Sequence, residues 1–280
     1  MSLITRFTRI GSNLLVYSLL IGVSTLMILP FLWMLDTSLK PAAETFAHPP
    51  IIISSNFNLQ AYIMLIRDFH FLRILFNTVL IALSATLLQL LFCSLGGYGF
   101  AKYKFPGQRM LFSLLLGTMI VPFVNLMVPL YLIMRDLHWI DTYWPLIIPW
   151  AANAFGIFFM RQYISTISDE LLDAARIDGA SEFVIYWRVI LPIISPGLTS
   201  LGLIIFMGTW NGYLWPLVIL KSPEKFTLPL LINSMGGTVG RTAWELTMAA
   251  SLLSVLPLLI LFFIFQRRYF EGITAGAVRG

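Results

Sequence analysis

Charge is what this sequence has least of. Only 11% of its 280 residues are Asp, Glu, Lys or Arg, against about 25% in ordinary soluble domains. A chain so poor in charge cannot coat a soluble globule, and it lacks the polar excess of a disordered or fibrous protein. A single cysteine, Cys93, excludes a disulfide framework, a thiolate metal site and a CxxC redox motif. The three histidines, His48, His70 and His138, form no HExxH or paired ligand spacing. No GxxxxGK[ST] string cradles phosphate and no Ser-His-Asp grouping stands out. What the chain has instead is 58% hydrophobic residues and a mean hydropathy of +0.85. It is a membrane protein. The net charge of +5 comes from basic residues scattered singly between apolar stretches, with no cluster or aromatic-interleaved stripe, so no nucleic-acid partner is expected.

A membrane-crossing helix needs about 20 apolar residues. Six long windows contain no Asp, Glu, Lys or Arg: 10–35, 74–101, 110–134, 142–160, 189–220 and 246–266. They predict an all-α membrane protein of one domain over 1–280, with six spans near 13–35, 75–99, 110–134, 143–162, 196–220 and 246–266. A seventh window, 45–66, carries His48, Pro49, Pro50, Ser54, Ser55, Asn56 and Asn58. Adjacent prolines break a helix, so it is expected to be an exposed loop. The first window follows Arg6 and Arg9 but is too long for a secretory signal, and no small-x-small cleavage site follows. An uncleaved first helix is expected. Six spans put both termini on one side. With that side inside, the inner segments hold 11 Lys and Arg against 6 acids, and the outer ones 7 against 7. The bias predicts cytoplasmic termini.

The inner segment 161–195 is the most charged part of the chain. Ser168 can cap a helix whose first turn holds Asp169 and Glu170, where the helix dipole favours anions. Leu171, Leu172, Ala174, Ala175 and Ile177 supply a small apolar face. Gly179 sits where a left-handed residue would end that helix. Ser181 can cap a second helix over 182–190, stopped at Leu191-Pro192, and Ser195-Pro196 is expected to open the next span. The small pair Ala174-Ala175 suits a peg that docks closely on a neighbour. A helix lying on the bilayer surface fits the residues equally.

The string DAARIDGA at Asp173–Ala180, followed by Leu191-Pro192, resembles the EAA motif of ATP-binding-cassette (ABC) importer permeases. Further strings, YGFAKYKFP at Tyr98–Pro106, WNGYLWP at Trp210–Pro216 and GITAGAVRG at Gly272–Gly280, look like the MalG-like branch that takes up carbohydrate. The likeness spans most of 75–280. It implies a permease domain whose 165–192 loop couples to two ABC ATPase subunits through Glu170, Asp173, Ala174, Ala175, Asp178, Gly179, Leu191 and Pro192. It also implies a homologous permease partner, an extracytoplasmic solute-binding protein and a place in the bacterial inner membrane, in contact with membrane lipid. One departure matters. The motif opens on Asp173 where the family has Glu, so either Asp173 or Glu170 is the acid that meets a basic ATPase residue. The 267–280 tail would reach between the ATPase subunits, and the outer loop 221–245, with Gly236, Gly237 and Gly240, would touch the binding protein.

The six charge-free windows hold no Asp, Glu or Lys to relay protons or bind a coupling cation. Energy must come from outside the chain. No cofactor is expected on it, nor an activity as an enzyme; ATP and Mg belong to the partner subunits that the resemblance implies. A solute rich in hydroxyls needs amides and hydroxyls for its rim and aromatic faces for its apolar side. The spans offer Gln89, Asn125, Tyr131, Asn153, Trp210, Asn211 and Tyr213, although such residues more often serve as interhelical hydrogen-bond glue. Tyr143, Trp144 and Trp150 are assigned to an interfacial belt or to packing. Pro122, Pro129, Pro145, Pro149, Pro216 and Pro257 would interrupt or kink spans and free carbonyls. The rival expectations are a permease for a polyol or glycerol phosphate, and a self-sufficient channel or carrier.

Overall fold

The structure, a computed structural model, describes residues 3–45, 54, 56–236 and 243–277, with 3–12, 14 and 267–277 as backbone alone. The Pro49-Pro50 pair, Gly237, Gly240 and the end of the tail lie outside the described residues. Among those described there is no strand. The helices are α1 (Leu3–Leu39), α2 (Ala42–Thr45), α3 (Gln60–Arg67), α4 (Phe71–Lys102), α5 (Gln108–Thr118), α6 (Phe123–Asp136), α7 (Trp144–Ile147) and α8 (Ala154–Ile164). They continue with α9 (Asp169–Ile177), α10 (Glu182–Ile185), α11 (Leu191–Ile193), α12 (Ser195–Trp210), α13 (Leu214–Ile219), α14 (Leu228–Met235) and α15 (Trp244–Ala277).

Three stretches are each one unbroken helix long and apolar enough to cross a bilayer: Leu15–Leu39, Phe71–Lys102 and Trp244–Gln266. Two more helix pairs qualify only as bent units, α5 with α6 at 97° and Glu182–Ile193 with α12 at 76°. The described residues thus give three spans, or five if each bent pair is one. The remaining windows are broken beside proline or glycine. Pro122 is extended (φ −61°, ψ 132°) between α5 and α6. Pro145 and Pro149 each open a short helical piece, and the chain then extends at Asn153 before α8. The 196–220 window is α12, a break at 211–213 and the six-residue α13.

Three expectations fail locally. The second helix of the 161–195 loop does not stop at Leu191-Pro192 but runs to Ile193 through a π-turn at Tyr186–Ile190. Proline lacks an amide and its ring crowds the carbonyl four residues back. The wider π-turn relieves this, with the Leu191 amide donating to the Tyr186 carbonyl five residues earlier. Ser195 does not cap α12 with its side chain; Ile194 holds the cap position. The 45–66 window is also not all loop, since Gln60–Arg67 is helical.

The chain falls into two compact units, 1–71 with 232–256, and 72–231 with 257–280. In the first, Ser38 Oγ meets Tyr62 OH at 2.7 Å, and Glu44 accepts from Ser54 Oγ and Asn56 Nδ2 at 2.6 and 2.8 Å. Along 15–32 the α1 side chains stay outside this packing, with Leu19, Leu26 and Met27 more than half exposed, as a lipid-facing helix requires. The second unit has two cores along α4. One gathers Ile81, Met134, Leu146, Trp215, Ile219 and Leu230. The other gathers Cys93, Tyr98, Met160, Ile164, Leu172, Ile185, Tyr186 and Leu201.

Candidate functional site

The 165–192 loop folds largely as its residues dictate. Ser168 Oγ accepts from the Glu170 amide at 3.3 Å, and Ser181 Oγ from the Val184 amide at 3.4 Å, so both short helices are capped. Gly179 takes φ +80°. Its amide donates to Arg176 O and that of Ala180 to Ala175 O, both at 3.0 Å. This is the double bond of a Schellman ending. Ala175 and Ala180, the positions that flank such an ending, both pack on the core around Leu172 and Ile185. Of the expected apolar face only Leu172 is fully buried. Leu171 is 42% exposed and Ile177 86%. Phe183 on α10 is exposed as well, so the loop presents apolar side chains outward.

Its charges are organised. Asp173 and Glu170 are exposed, but Asp173 Oδ1 accepts from Arg176 at 2.8 Å while Glu170 has no ion pair among those described. The same arginine reaches Glu182 Oε1 at 2.8 Å. Glu182 also accepts from Tyr103 OH at 2.5 Å and Tyr98 OH at 3.3 Å. The Arg176 guanidinium, then the Tyr103 hydroxyl, hold the Glu182 carboxyl below the usual range. Burial, then the Glu182 carboxylate, push the Tyr103 phenol up. Ala174, Asp178 and Pro192 are exposed and Leu191 is half-buried.

A second feature sits where the broken helices meet. A cavity of about 320 Å³ is lined by Gln89 of α4, Phe123 at the start of α6, Trp150, Asn153, Thr209 and Gly212 at the end of α12, Trp215 of α13, and Thr227. Such a volume is at the small end of ligand pockets. Phe123 stands edge-on to both Trp150 and Trp215, with centroids 5.2 and 5.9 Å away. The Asn153 amide donates to Gln89 Oε1, and its own oxygen accepts from the Gly156 amide at 2.6 Å, capping α8. Trp215 is fixed by its indole N–H on Pro145 O at 2.9 Å. Thr227 Oγ1 is buried without a hydrogen-bond partner, an uncommon and costly state that a bound hydroxyl would relieve.

Of the seven residues expected to contact solute, Gln89 and Asn153 are brought together in this cavity. The others are not on its wall. Asn125 is exposed. Tyr131 and Tyr213 pack on the Trp215 core. Trp210 is buried and stacked on Phe206, centroids 5.4 Å apart. Asn211 donates to Met207 O at 2.9 Å, closing its own helix end. Trp150, assigned to belt or packing, lines the cavity, as do Phe123, Thr209, Trp215 and Thr227. The flanking signals were Pro122, Pro149 and Gly212, each beside a break that turns a side chain inward.

Comparison with known proteins completes the picture. The family described as "Binding-protein-dependent transport system inner membrane component" matches residues 93–274. The chain belongs to this family. It is 34% identical to the arabinooligosaccharides transport system permease protein AraQ of Bacillus subtilis over 92% of both chains. It is 31% identical to the lactose transport system permease protein LacG of Rhizobium radiobacter, over 96% of this chain and 98% of that one. It is also 31% identical to the trehalose/maltose permease protein MalG of Thermococcus litoralis, over 90% and 91%. A crystallised bacterial ABC transporter that imports alginate shares the fold with TM-score 0.82 and 26% identity, covering 95% of this chain and 98% of that chain. The permease is therefore a multi-pass membrane protein of the sugar ABC-importer type, and its relatives are transport components.

Proposed function

We propose that this chain is the membrane-spanning subunit of a binding-protein-dependent ABC importer. It passes a sugar or oligosaccharide into the cytoplasm by alternating access, driven by ATP hydrolysed with Mg on two separate ATPase subunits. A homologous permease stands beside it, and a soluble binding protein delivers solute on the outer side. Six spans with cytoplasmic termini suit this arrangement, the bent pairs and the broken 143–162 segment serving as spans lined by protein rather than lipid. The observation that carries the proposal is the 168–192 loop, two capped helices hinged at a left-handed glycine and exposing Leu171, Ile177 and Phe183. Glu170, Asp173, Ala174, Ala175, Asp178, Gly179, Leu191 and Pro192 belong to that docking element. Of Glu170 and Asp173, Asp173 is the less free, because Arg176 already engages it.

The solute passes the Gln89–Asn153 cavity, where Trp150 and Trp215 offer flat apolar faces and Thr209 and Thr227 offer hydroxyls. Sugar relatives such as AraQ, LacG and MalG support carbohydrate as the class. The test is sugar-stimulated ATP hydrolysis by the complex reconstituted in lipid, wild type against Gly179→Asp. A bulky charge at this exposed corner, where nothing lies within 4 Å of a Cβ, would stand in the way of a docking partner. Stimulation collapses if the loop docks the ATPases. If it survives while the ATPases remain bound, the loop is a surface helix and the proposal is wrong.

A further inference from the structure

The docking loop is attached by the chain to α8 and α12, yet its polar anchors run elsewhere. Ser94, Tyr98 and Lys102 recur every four residues and so share one face of α4. Ser94 Oγ meets Tyr186 OH at 2.6 Å. Tyr98 OH donates to Glu182 Oε2 at 3.3 Å, joined there by Tyr103 OH from just beyond the helix. Lys102 Nζ donates to Ile167 O at 2.5 Å and to Asp169 Oδ1 at 2.6 Å, gripping the start of α9. The Lys102 side chain is only 4% exposed, so this ammonium is committed to the contact. Among the described residues, side-chain hydrogen bonds from residues 167–190 end either within the loop or on this stretch of α4 and Tyr103. Each of the loop's two helices is thus tied to α4 by a charged group, α9 through Asp169 and α10 through Glu182, and Arg176 joins the two.

We infer that Lys102, with Tyr98 and Tyr103 on Glu182, forms a strut that makes the 168–186 loop and α4 one mechanical body. A push on the loop then turns α4 and the cavity wall at Gln89 directly, rather than only through the helices that flank the loop in sequence. This rests on the importer reading above. Lys102 and Glu182 are positioning residues: Lys102 is buried against the loop, Glu182 is held by Arg176 and two tyrosines, and neither lines the cavity. The Lys102 hydrogen bond lowers the Asp169 carboxyl below its ordinary range, so the α9 end of the strut stays ionised at neutral pH.

The experiment uses the complete importer in proteoliposomes and reads sugar transported per ATP hydrolysed, together with co-purification of the ATPases. With Lys102→Met the ATPases remain bound and hydrolysis persists, while transport per ATP falls about fivefold or more, as loss of a coupling contact predicts. The exchange Lys102→Asp with Asp169→Lys recovers much of that ratio. The pair Tyr98→Phe and Tyr103→Phe removes two hydroxyls only, and lowers the ratio even if Lys102→Met fails to accumulate. An unchanged ratio in these variants, or transport and hydrolysis falling in proportion, would overturn the strut. Failure of the ATPases to co-purify with the wild-type chain is a different result, and overturns the importer reading itself along with the strut.

Discussion

Gly97 of α4 lies against the backbone of α8 at Met160. A Cβ at position 97 would stand 2.6 Å from Met160 Cβ and 2.8 Å from the Arg161 backbone nitrogen. Neither atom is the end of a flexible side chain, so two helix backbones would have to part. Gly-to-Ala in a helix ordinarily stabilises by about 0.5–1 kcal/mol. Here Gly97→Ala is expected to destabilise by about 1–3 kcal/mol. Gly99, two residues on, has nothing within 4 Å of such a Cβ, so Gly99→Ala should be neutral or slightly stabilising. Thermal unfolding of the two variants in the same detergent checks the opposite signs.

Gly179 separates backbone strain from crowding. Nothing lies within 4 Å of a Cβ placed there, yet its φ is +80°. Gly179→Ala should therefore cost about 1–2 kcal/mol through left-handed strain alone. Gly179→Asn should cost less, because asparagine tolerates that region. Limited proteolysis within 165–192 ranks the three proteins, with alanine cut fastest. Equal rates would mean that the corner is not held in that conformation.

Asp141 joins the turn after α6 to the segment after α13. It has φ 58°, and its carboxylate accepts from the Lys221 amide, the Ser222 amide and hydroxyl, and Lys225 Nζ at 2.6–3.0 Å. Burial works against ionisation, but the Ser222, Lys225 and Lys221 bonds outweigh it and hold the carboxyl well below its ordinary value. For a depressed carboxyl, the stabilisation is whole above the unfolded value of about 3.9 and fades as pH falls from there toward the folded value. Asp141→Ala should lose about 1–3 kcal/mol at neutral pH, because it removes the carboxylate that the Lys221, Ser222 and Lys225 donors share. The gap between the unfolding midpoints of wild type and Asp141→Ala should stay flat from about pH 8 to 5 and narrow below about pH 4. A gap that narrows near neutrality would show that another group sets it.

The helical class and the capped helices of the 165–192 loop were legible because both rest on local rules. Charge-free windows reveal apolar helices, and Ser168, Ser181 and Gly179 announce caps and corners through their own backbone chemistry. The breaks were only half legible. Pro122 and Pro149 marked where a helix would fail, but a window count cannot say that 110–134 turns through 97° or that Pro192 is absorbed in a π-turn. The cavity was hidden for the same reason. Gln89 and Asn153 were visible as polar residues in apolar windows, whereas Trp150 and Trp215 look like any interfacial tryptophan until the breaks turn them toward one space. The Lys102–Asp169 and Glu182 contacts join residues at least 67 positions apart, a separation that no local pattern reports.

The cavity makes the last test. Trp150 and Trp215 flank Phe123 edge-on, and Gln89 and Asn153 supply the amides between them. If solute crosses here, Trp150→Ala removes a flat face and should raise the half-saturating sugar concentration about tenfold, equivalent to about 1.4 kcal/mol, in line with the loss of one aromatic contact. Gln89→Leu should act similarly, because it leaves the Asn153 amide without its acceptor and the solute without a polar partner. Asn153→Asp is more informative: it can still accept from the Gly156 amide and cap α8, but it can no longer donate to Gln89. A transport defect in that variant with unchanged thermal stability points to the solute path rather than to helix packing. Asn125→Ala, altering an exposed residue off the cavity wall, should leave uptake unchanged. Uptake assays in proteoliposomes with saturating binding protein separate these outcomes, and a normal half-saturation in both Trp150→Ala and Gln89→Leu would move the path away from this cavity.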